Sequence, residues 1–519
     1  MENKPETHEM GTAHKDHPDS DSSQLRNGLS GGLSAQHREY LMSRHGTTDL
    51  NPLPTADPAD PLNWPAWKKN VNLALISFNA MMTTLTAAAV IPAFEDFSID
   101  LGISLTRASY LTSVQILMLG FAPLFWKPIS NHFGRRPIWL ISTICSMVCN
   151  IGCAKSHSYA TQVLTRLLVA FFISPAIAIS SAVVIEMYFA RERGQKMGIW
   201  TLMVTLGPPS GPFIMGFVAY HTRGWKWIYY ILAITNAVQF ILYFFFSPET
   251  LYVRDRPIVA STQGSPFRRQ YLNFGKIGPY PLSLGEFLQP LRIFAYLNVL
   301  LPTIAYAIIF GFASVLLTVE IPQIFTPKYH FNAQQIGLQF IGMIIGSVLG
   351  EQLGGLGSDL WMRRANARAG PSRNAEPEHR IWVAYPGFLT VIAGLVVFCV
   401  QTDKLAHYNV TPIVGIAIAS FGNQVITTVL VTYAIDCHHE HAASIGVFIN
   451  LIRSTWGFIG PFWFPDMFSD IGLRGSAGLM VGLIVVFSIL PTILAHWKGR
   501  MIRERRAENE LDQVNTITR

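Results

Sequence analysis

Residues 205–216, TLGPPSGPFIMG, place Gly207, Pro208, Pro209, Gly211, Pro212 and Gly216 inside a charge-free run from Met197 to Ala219. The run is long enough to be one helix, yet those six residues break helices in water. Lipid reconciles the two. A stretch of roughly 20 apolar residues crosses the ~30 Å hydrocarbon layer as a helix. Backbone groups freed by proline are then satisfied by neighbouring helices, so a proline-rich helix survives when packed among others. Glycines at nearby positions admit those neighbours. The rest of the chain fits this reading. Of its 519 residues, 50% are hydrophobic and only 14% are charged, with a mean hydropathy of +0.30.

Apolar runs predict twelve spans: 70–92, 108–126, 138–154, 160–183, 197–219, 228–247, 296–319, 335–356, 382–400, 411–434, 443–465 and 475–497. They are too long and too continuous for the alternating strands of an outer-membrane barrel. Residues 1–66 are polar and read as a disordered cytoplasmic tail; no apolar segment precedes the first span, so no cleaved signal is expected. Lys and Arg set the orientation. One side carries Lys68, Lys69, Lys127, Arg135, Arg136, Arg191, Arg193 and Lys196, with further clusters in 248–293, 357–381 and after span 12. The other carries only Arg107, Lys155, Arg223, Lys226, Lys328, Lys404 and Arg474. This bias puts both termini in the cytoplasm. The net charge of +7 is mostly a topology signal. No basic segment is interleaved with stacking aromatics, which argues against nucleic-acid binding.

The long connection 248–293 divides the chain into a half at 67–247 and a half at 294–498, followed by a tail at 499–519. Weak matches between KPISNHFGRRP after span 2 and GGLGSDLWMRR after span 8 put Asn131 and Asp359 in equivalent places. Parallel six-span halves made of inverted triplets are a transporter architecture. NHFGRRP resembles the G-x-L-x-D-R-x-G-R-R loop motif of the major facilitator superfamily: Gly134, Arg135 and Arg136 match, while Asn131, His132 and Lys127 depart from it. Arg166 matches the membrane arginine of span 4, with Ala170 in place of a glycine. GPPSGPFIMG is similar to the span 5 motif of the drug/proton antiporter branch, with Met215 replacing one glycine. RERGQKMG, GWKWIYYI, SPETLY, EPEHRIW and YAIDC resemble fungal twelve-span members. The resemblance covers about residues 60–500. It implies an all-α integral membrane protein of two pseudo-symmetric six-helix bundles.

It also implies that span 5, through Gly207, Pro208, Gly211, Pro212 and Gly216, forms a seam against span 8. Span 8 offers Gly342, Gly346, Gly350 and Gly354 at four-residue spacing. Simple packing without a coupling role is the alternative. Inside the predicted spans the only Asp, Glu, Lys or Arg residues are Arg166, Glu351 and Arg453, costly enough in hydrocarbon to face the bundle or a wet cavity. Pairing of Glu351 with Arg453 is expected, since a paired ion avoids the isolated-charge penalty. Fixed contacts to helix carbonyls are the competing reading. Arg166 is the coupling candidate by resemblance. At the inner face, Glu186 is expected to pair with Arg135 or Arg136, and Asp359 with Arg363 and Arg364. The family fold puts spans 1, 4, 7 and 10 around the cavity, which makes Asn79, Thr83, Tyr306, Phe310, Asn423 and Gln424 substrate-facing candidates. Amides and aromatics without a central acid suit an uncharged or amphipathic organic molecule.

Cys145, Cys149 and Cys153 share a face of span 3 but read as small apolar packing. DCHHEH at 436–441 lacks the H-E-x-x-H spacing, so no metal is expected. The sequon at Asn409 lies on the predicted outer side, but its closeness to the membrane and the following Pro412 argue against glycosylation. No cofactor is expected, and no nucleophile–base pair marks an enzyme. The expected protein is a monomeric secondary transporter in the plasma membrane, exporting small organic substrates by exchange with protons through alternating access. An importer of polyamines or other nutrients, and a membrane sensor without flux, are the rival functions.

Overall fold

In the computed structural model the described residues are 34–254, 271, 277, 282–369 and 376–517, the side chains of 369, 439 and 507–517 excepted. Predictions for 1–33 and for most of 255–281 lie outside them. Among the described residues twelve helices are long and apolar enough to cross a membrane: Ala66–Leu101, Leu105–Phe133, Arg135–Ala154, Tyr159–Met187, Ala190–Thr222, Lys226–Phe246, Leu297–Tyr329, Ala333–Arg368, Pro377–Lys404, Thr411–Cys437, Ala442–Phe462 and Phe464–Arg506. They are spans 1 to 12 below. Odd and even spans alternate in direction. Residues 34–65 and the end of span 12 therefore share one face, the tail face, and the other is the far face. Large apolar side chains such as Ile144, Val148, Leu353 and Phe487 are left exposed on the outside, as lipid-facing positions must be.

Breaks in the spans follow the sequence. Pro175 splits span 4 into Tyr159–Ile173 and Pro175–Met187. Its missing N–H frees the Phe171 carbonyl, which accepts instead from Trp126 Nε1 at 2.8 Å. Span 7 contains a π-helical turn at Gly311–Leu316, and span 12 turns sharply at Gly472, whose φ is 69°. Span 5 keeps its three internal prolines within one helix, Ala190–Thr222.

The tail composition misled in one respect. Residues 34–65 are ordered against the tail face and not disordered. Helix Ala35–His45 starts on a Ser34 cap and ends at Gly46, and Leu41, Leu62 and Trp64 are buried. Fully buried Asp60 accepts from Thr55 N at 3.0 Å and Leu62 N at 3.1 Å, and pairs with Arg254 at 3.2 Å. Asn51 carbonyl caps the start of span 5 by accepting from Ala190 N at 2.8 Å. Few buried apolar anchors and one satisfied carboxylate hold a strap that composition alone reads as loose. At the other end no separate tail begins at 499; the last helix runs on through Leu490–Ile517.

One buried cluster joins both halves. It includes Leu85, Phe94, Leu111, Met215 and Tyr229 of the first with Phe312, Phe325, Ile336 and Phe464 of the second. Near the tail face Trp64, Ile76, Trp139 and Tyr243 form a cluster of the first half alone, while the second half continues the large cluster through Ile293, Ala384 and Ile445 beside a small group of Ile381, Tyr433 and Ala495.

Candidate functional site

The span 5 glycines do not act as one seam. A Cβ on Gly207 would stand 2.6 Å from Met81 O, and one on Gly211 2.7 Å from Leu85 O, so both admit span 1 of their own half. Pro208 and Pro212 lie on the same helix. The outer part of span 5 turns to span 8: a Cβ on Gly216 would be 2.7 Å from Ala333 O and 3.0 Å from Gly337 Cα, and one on Gly337 2.8 Å from Pro212 O. The Gly342–Gly354 face of span 8 meets span 10, at Ile413, Ala417, Phe421 and Val425. Within the expected seam the closest approach is thus at Pro212 and Gly216 on Gly337, while Gly207 and Gly211 serve span 1. The complementary crossing between halves, absent from the sequence reading, sets Gly120 of span 2 on Ser454 of span 11, where a Cβ would come within 2.6 Å.

Glu351 and Arg453 do not pair. Glycine-mediated approach of spans 8 and 10 puts the Glu351 carboxylate against neutral donors: Oε2 accepts from Gln424 Nε2 at 3.1 Å and Thr428 Oγ1 at 3.2 Å. The same Gln424 amide donates to Thr205 Oγ1 of span 5 at 2.8 Å, which ties the carboxylate to the first half. Asn423 Nδ2 donates to Gln424 Oε1 at 3.3 Å. Both amides are nearly buried within this network.

Arg453 is half-buried and also held by neutral groups. Nη1 donates to Tyr306 OH at 3.1 Å, Nε and Nη2 donate to Asn450 Oδ1 at 3.2 and 2.9 Å, and the guanidinium lies 4.6 Å over the Phe310 ring. Asn450 in turn donates to Leu119 O of span 2 at 2.9 Å. Here the cation is stabilised by a ring face and amide dipoles. Fully buried Arg166 donates to Leu111 O at 2.9 Å, Ala87 O at 3.1 Å, Gln115 Oε1 at 2.6 Å and Tyr229 OH at 2.8 Å. That is the carbonyl-bound alternative, with no acid among its partners.

On span 1 the expected cavity residues turn inward to packing. Thr83 is fully buried and donates to Asn79 O at 2.8 Å and to Ile173 O at 3.1 Å, beside the span 4 break. Asn79 is fully buried as well. The half-buried neighbours on that span are Phe78 and Met81.

The sequence reading missed one acid. Glu320 lies one residue beyond the predicted end of span 7, four after the π-helical turn, and is 1% exposed. Its Oε1 accepts from Gln323 Nε2 at 3.0 Å, and among the described residues it has no ion pair. The signal was present in LLTVEIP, an acid in an apolar run, and was lost by ending the span at 319.

At the tail face Arg135 pairs with Glu186 at 2.8 Å and donates to Ser130 Oγ at 2.6 Å and Asn131 Oδ1 at 2.8 Å. Asn131 thus keeps a hydrogen bond where the family motif has an acid. Arg136 takes a different task, donating to the carbonyls of Tyr243 at 3.0 Å and Phe244 at 2.9 Å at the end of span 6. Glu249 was not anticipated. Its carboxylate accepts from the backbone N–H of Arg135 at 2.8 Å, Arg136 at 3.0 Å and Leu251 at 2.8 Å, capping span 3. Burial pushes this carboxyl above its ordinary range, against those three bonds. Gly134 turns the chain there with φ of 99°, and a side chain would collide with Glu249. In the second half the partner of Asp359 is Arg380 at 3.3 Å, not Arg363 or Arg364; Arg380 also pairs with Asp436 at 3.1 Å. The halves match: an arginine opening the third helix bridges the ends of the second and fourth. Each bridge lies within its own half, so neither is itself a latch between halves.

Comparisons with known proteins agree with this geometry. A family model described as Major Facilitator Superfamily matches residues 76–461. The chain is 27% identical over 459 residues to the MFS transporter cpaT of Aspergillus oryzae, spanning 86% of this chain and 90% of that protein. It is 25% identical over 465 residues to the efflux pump radE of Floropilus chiversii, spanning 88% and 85%. Among solved structures, an inward-facing, unoccupied bacterial homologue of the human lysosomal transporter Spinster superposes with a TM-score of 0.58 at 12% identity, covering 85% of this chain and 99% of that one.

Proposed function

The chain belongs to the Major Facilitator Superfamily, and we propose that it is a proton-coupled exporter of small uncharged or amphipathic organic compounds. The observation that carries the reading is the Glu351–Gln424–Thr205 bridge: a protonatable carboxyl near mid-bundle is wired across the two halves through an amide. With neutral partners only, no counter-ion locks it in the ionised form, so it can take up and release a proton as access alternates. Glu320, also free of a cation among the described residues, is a second proton site on span 7. Tyr306, Phe310 and Gln424 offer an aromatic and amide surface to substrate, beside the neutral-bound Arg453. The halves share a core toward the far face, and the first half holds a core of its own toward the tail face, which suits two bodies rocking about a central site. The Lys and Arg bias assigns the tail face to the cytoplasm, and the radE relative is named an efflux pump. The protein acts as a monomer in the plasma membrane.

The test is substrate-resolved flux in sealed vesicles containing the purified protein under an imposed pH gradient. Export of a neutral organic compound that collapses with the gradient, and with Glu351→Gln, is expected. Uptake in the opposite sense would establish an importer, and specific binding without flux a sensor; either overturns the reading.

A further inference from the structure

Span 8 carries exposed leucines at 349, 353, 356 and 360, a stripe at helical spacing that points to lipid. Arg364 and Arg368 continue the same face. From Leu353 to Arg364 the helix rises about 16 Å at ~1.5 Å per residue, close to the ~15 Å depth of one leaflet's hydrocarbon. The basic end of the stripe therefore stands at headgroup level when the leucines are in acyl chains. There it opens into a cavity of about 490 Å³ between the ends of spans 8 and 9, lined by Trp361, Arg364 and Arg368 on one side and His379 and Trp382 on the other. Tryptophans at this depth are typical of the membrane–water interface. The nearby acids are engaged elsewhere: Asp359 with Arg380, Glu376 with Arg500, and Glu378 with Arg503. Among the described residues Arg364 and Arg368 have no ion pair, although Asp359 was the expected partner of Arg364.

We propose that this groove is a binding site for an anionic phospholipid of the tail-face leaflet. The phosphate sits between Arg364 and Arg368, the tryptophans flank the glycerol region, and an acyl chain follows the span 8 leucines. Basic pockets of this kind between membrane helices recognise phosphorylated headgroups by charge and fork geometry. The site is separate from the central cluster and independent of what is transported.

The test uses full-length protein in detergent, with dioctanoyl phosphatidylserine as the probe. Dioctanoyl phosphatidylcholine serves as the neutral-headgroup control, and inorganic phosphate as the soluble source of the same chemistry. Saturable binding of the phosphatidylserine is expected, with none of the phosphatidylcholine. Arg364→Gln with Arg368→Gln should weaken it about tenfold or more, since each basic residue near an anionic surface contributes on the order of 1 kcal/mol. Trp361→Ala should weaken it as well, and Arg363→Gln, outside the groove, should not. All these side chains are exposed, so folding is retained, and gel filtration verifies it. Equal binding of both lipids, or an unchanged constant in the double variant, overturns the proposal. Displacement by inorganic phosphate as effective as by unlabelled phosphatidylserine overturns the lipid assignment in favour of a free phosphate.

Discussion

The same substitution at two positions of span 5 should have two different effects. At Gly207 a methyl meets span 1 of its own half, 2.6 Å from Met81 O and 2.9 Å from Leu85 N; at Gly216 it meets span 8 of the other half, 2.7 Å from Ala333 O. Relief requires several tenths of an ångström of backbone movement in each case, and overpacking of this kind costs about 1–3 kcal/mol. For Gly207→Ala the strain is present in every conformation, because both helices move together, so the expected loss is in folded yield and melting temperature. For Gly216→Ala the strain exists only while the far face is closed. A cost of about 2 kcal/mol then shifts the closed-to-open ratio roughly thirtyfold, at 1.4 kcal/mol per factor of ten. Spin labels at Thr222 and Asn409, both exposed on the far face, report the separation in a background with the five free cysteines replaced. Gly216→Ala should populate a longer distance with near-normal yield, and Gly207→Ala should leave the distances unchanged. Identical distance distributions for Gly216→Ala and wild type, with normal flux, would refute the crossing as part of the conformational change.

Three further outcomes are expected. Glu351→Gln and Arg453→Gln share no partner, so their effects on stability should add within about 0.5 kcal/mol; a double variant more stable than the Arg453 single would restore an ion pair between them. Arg135→Ala should lower the melting temperature more than Arg380→Ala, because Arg135 and Glu186 are 5% and 16% exposed whereas Arg380 divides its charge between Asp436 at 22% and solvent-screened Asp359 at 66%; the reverse order in detergent melts would overturn the assignment. Because the native Glu249 carboxyl is raised above its ordinary value of 4.5, its contribution is full below the unfolded value and lost as pH rises through the native one. Glu249→Gln should flatten that decline in pH-resolved melts, and an unaltered slope would show that the carboxyl does not titrate differently on folding.

Hydropathy alone was enough for the twelve spans, because crossing a membrane is a property each segment satisfies by itself. The six-plus-six division, the Arg135–Glu186 pair and the amide-rich centre of span 10 were likewise legible, resting on loop length, a local motif and apolar context. The strap at 34–65 was not, since a few buried apolar anchors and the satisfied Asp60 do not alter its polar average. Nor were the partners of Glu351, Arg453 and Asp359, or the split between Gly207, Gly211 and Gly216. Helical periodicity tells which residues share a face, but the neighbour that face meets is fixed by how twelve helices rotate and tilt against one another. Gly207 and Gly216 are nine positions apart on one helix, yet one touches span 1 and the other span 8. Only the packed bundle decides that, because span 5 lies between two neighbours at once and Gly211 meets Leu85 O of span 1 where the adjacent Pro212 O meets Gly337 of span 8.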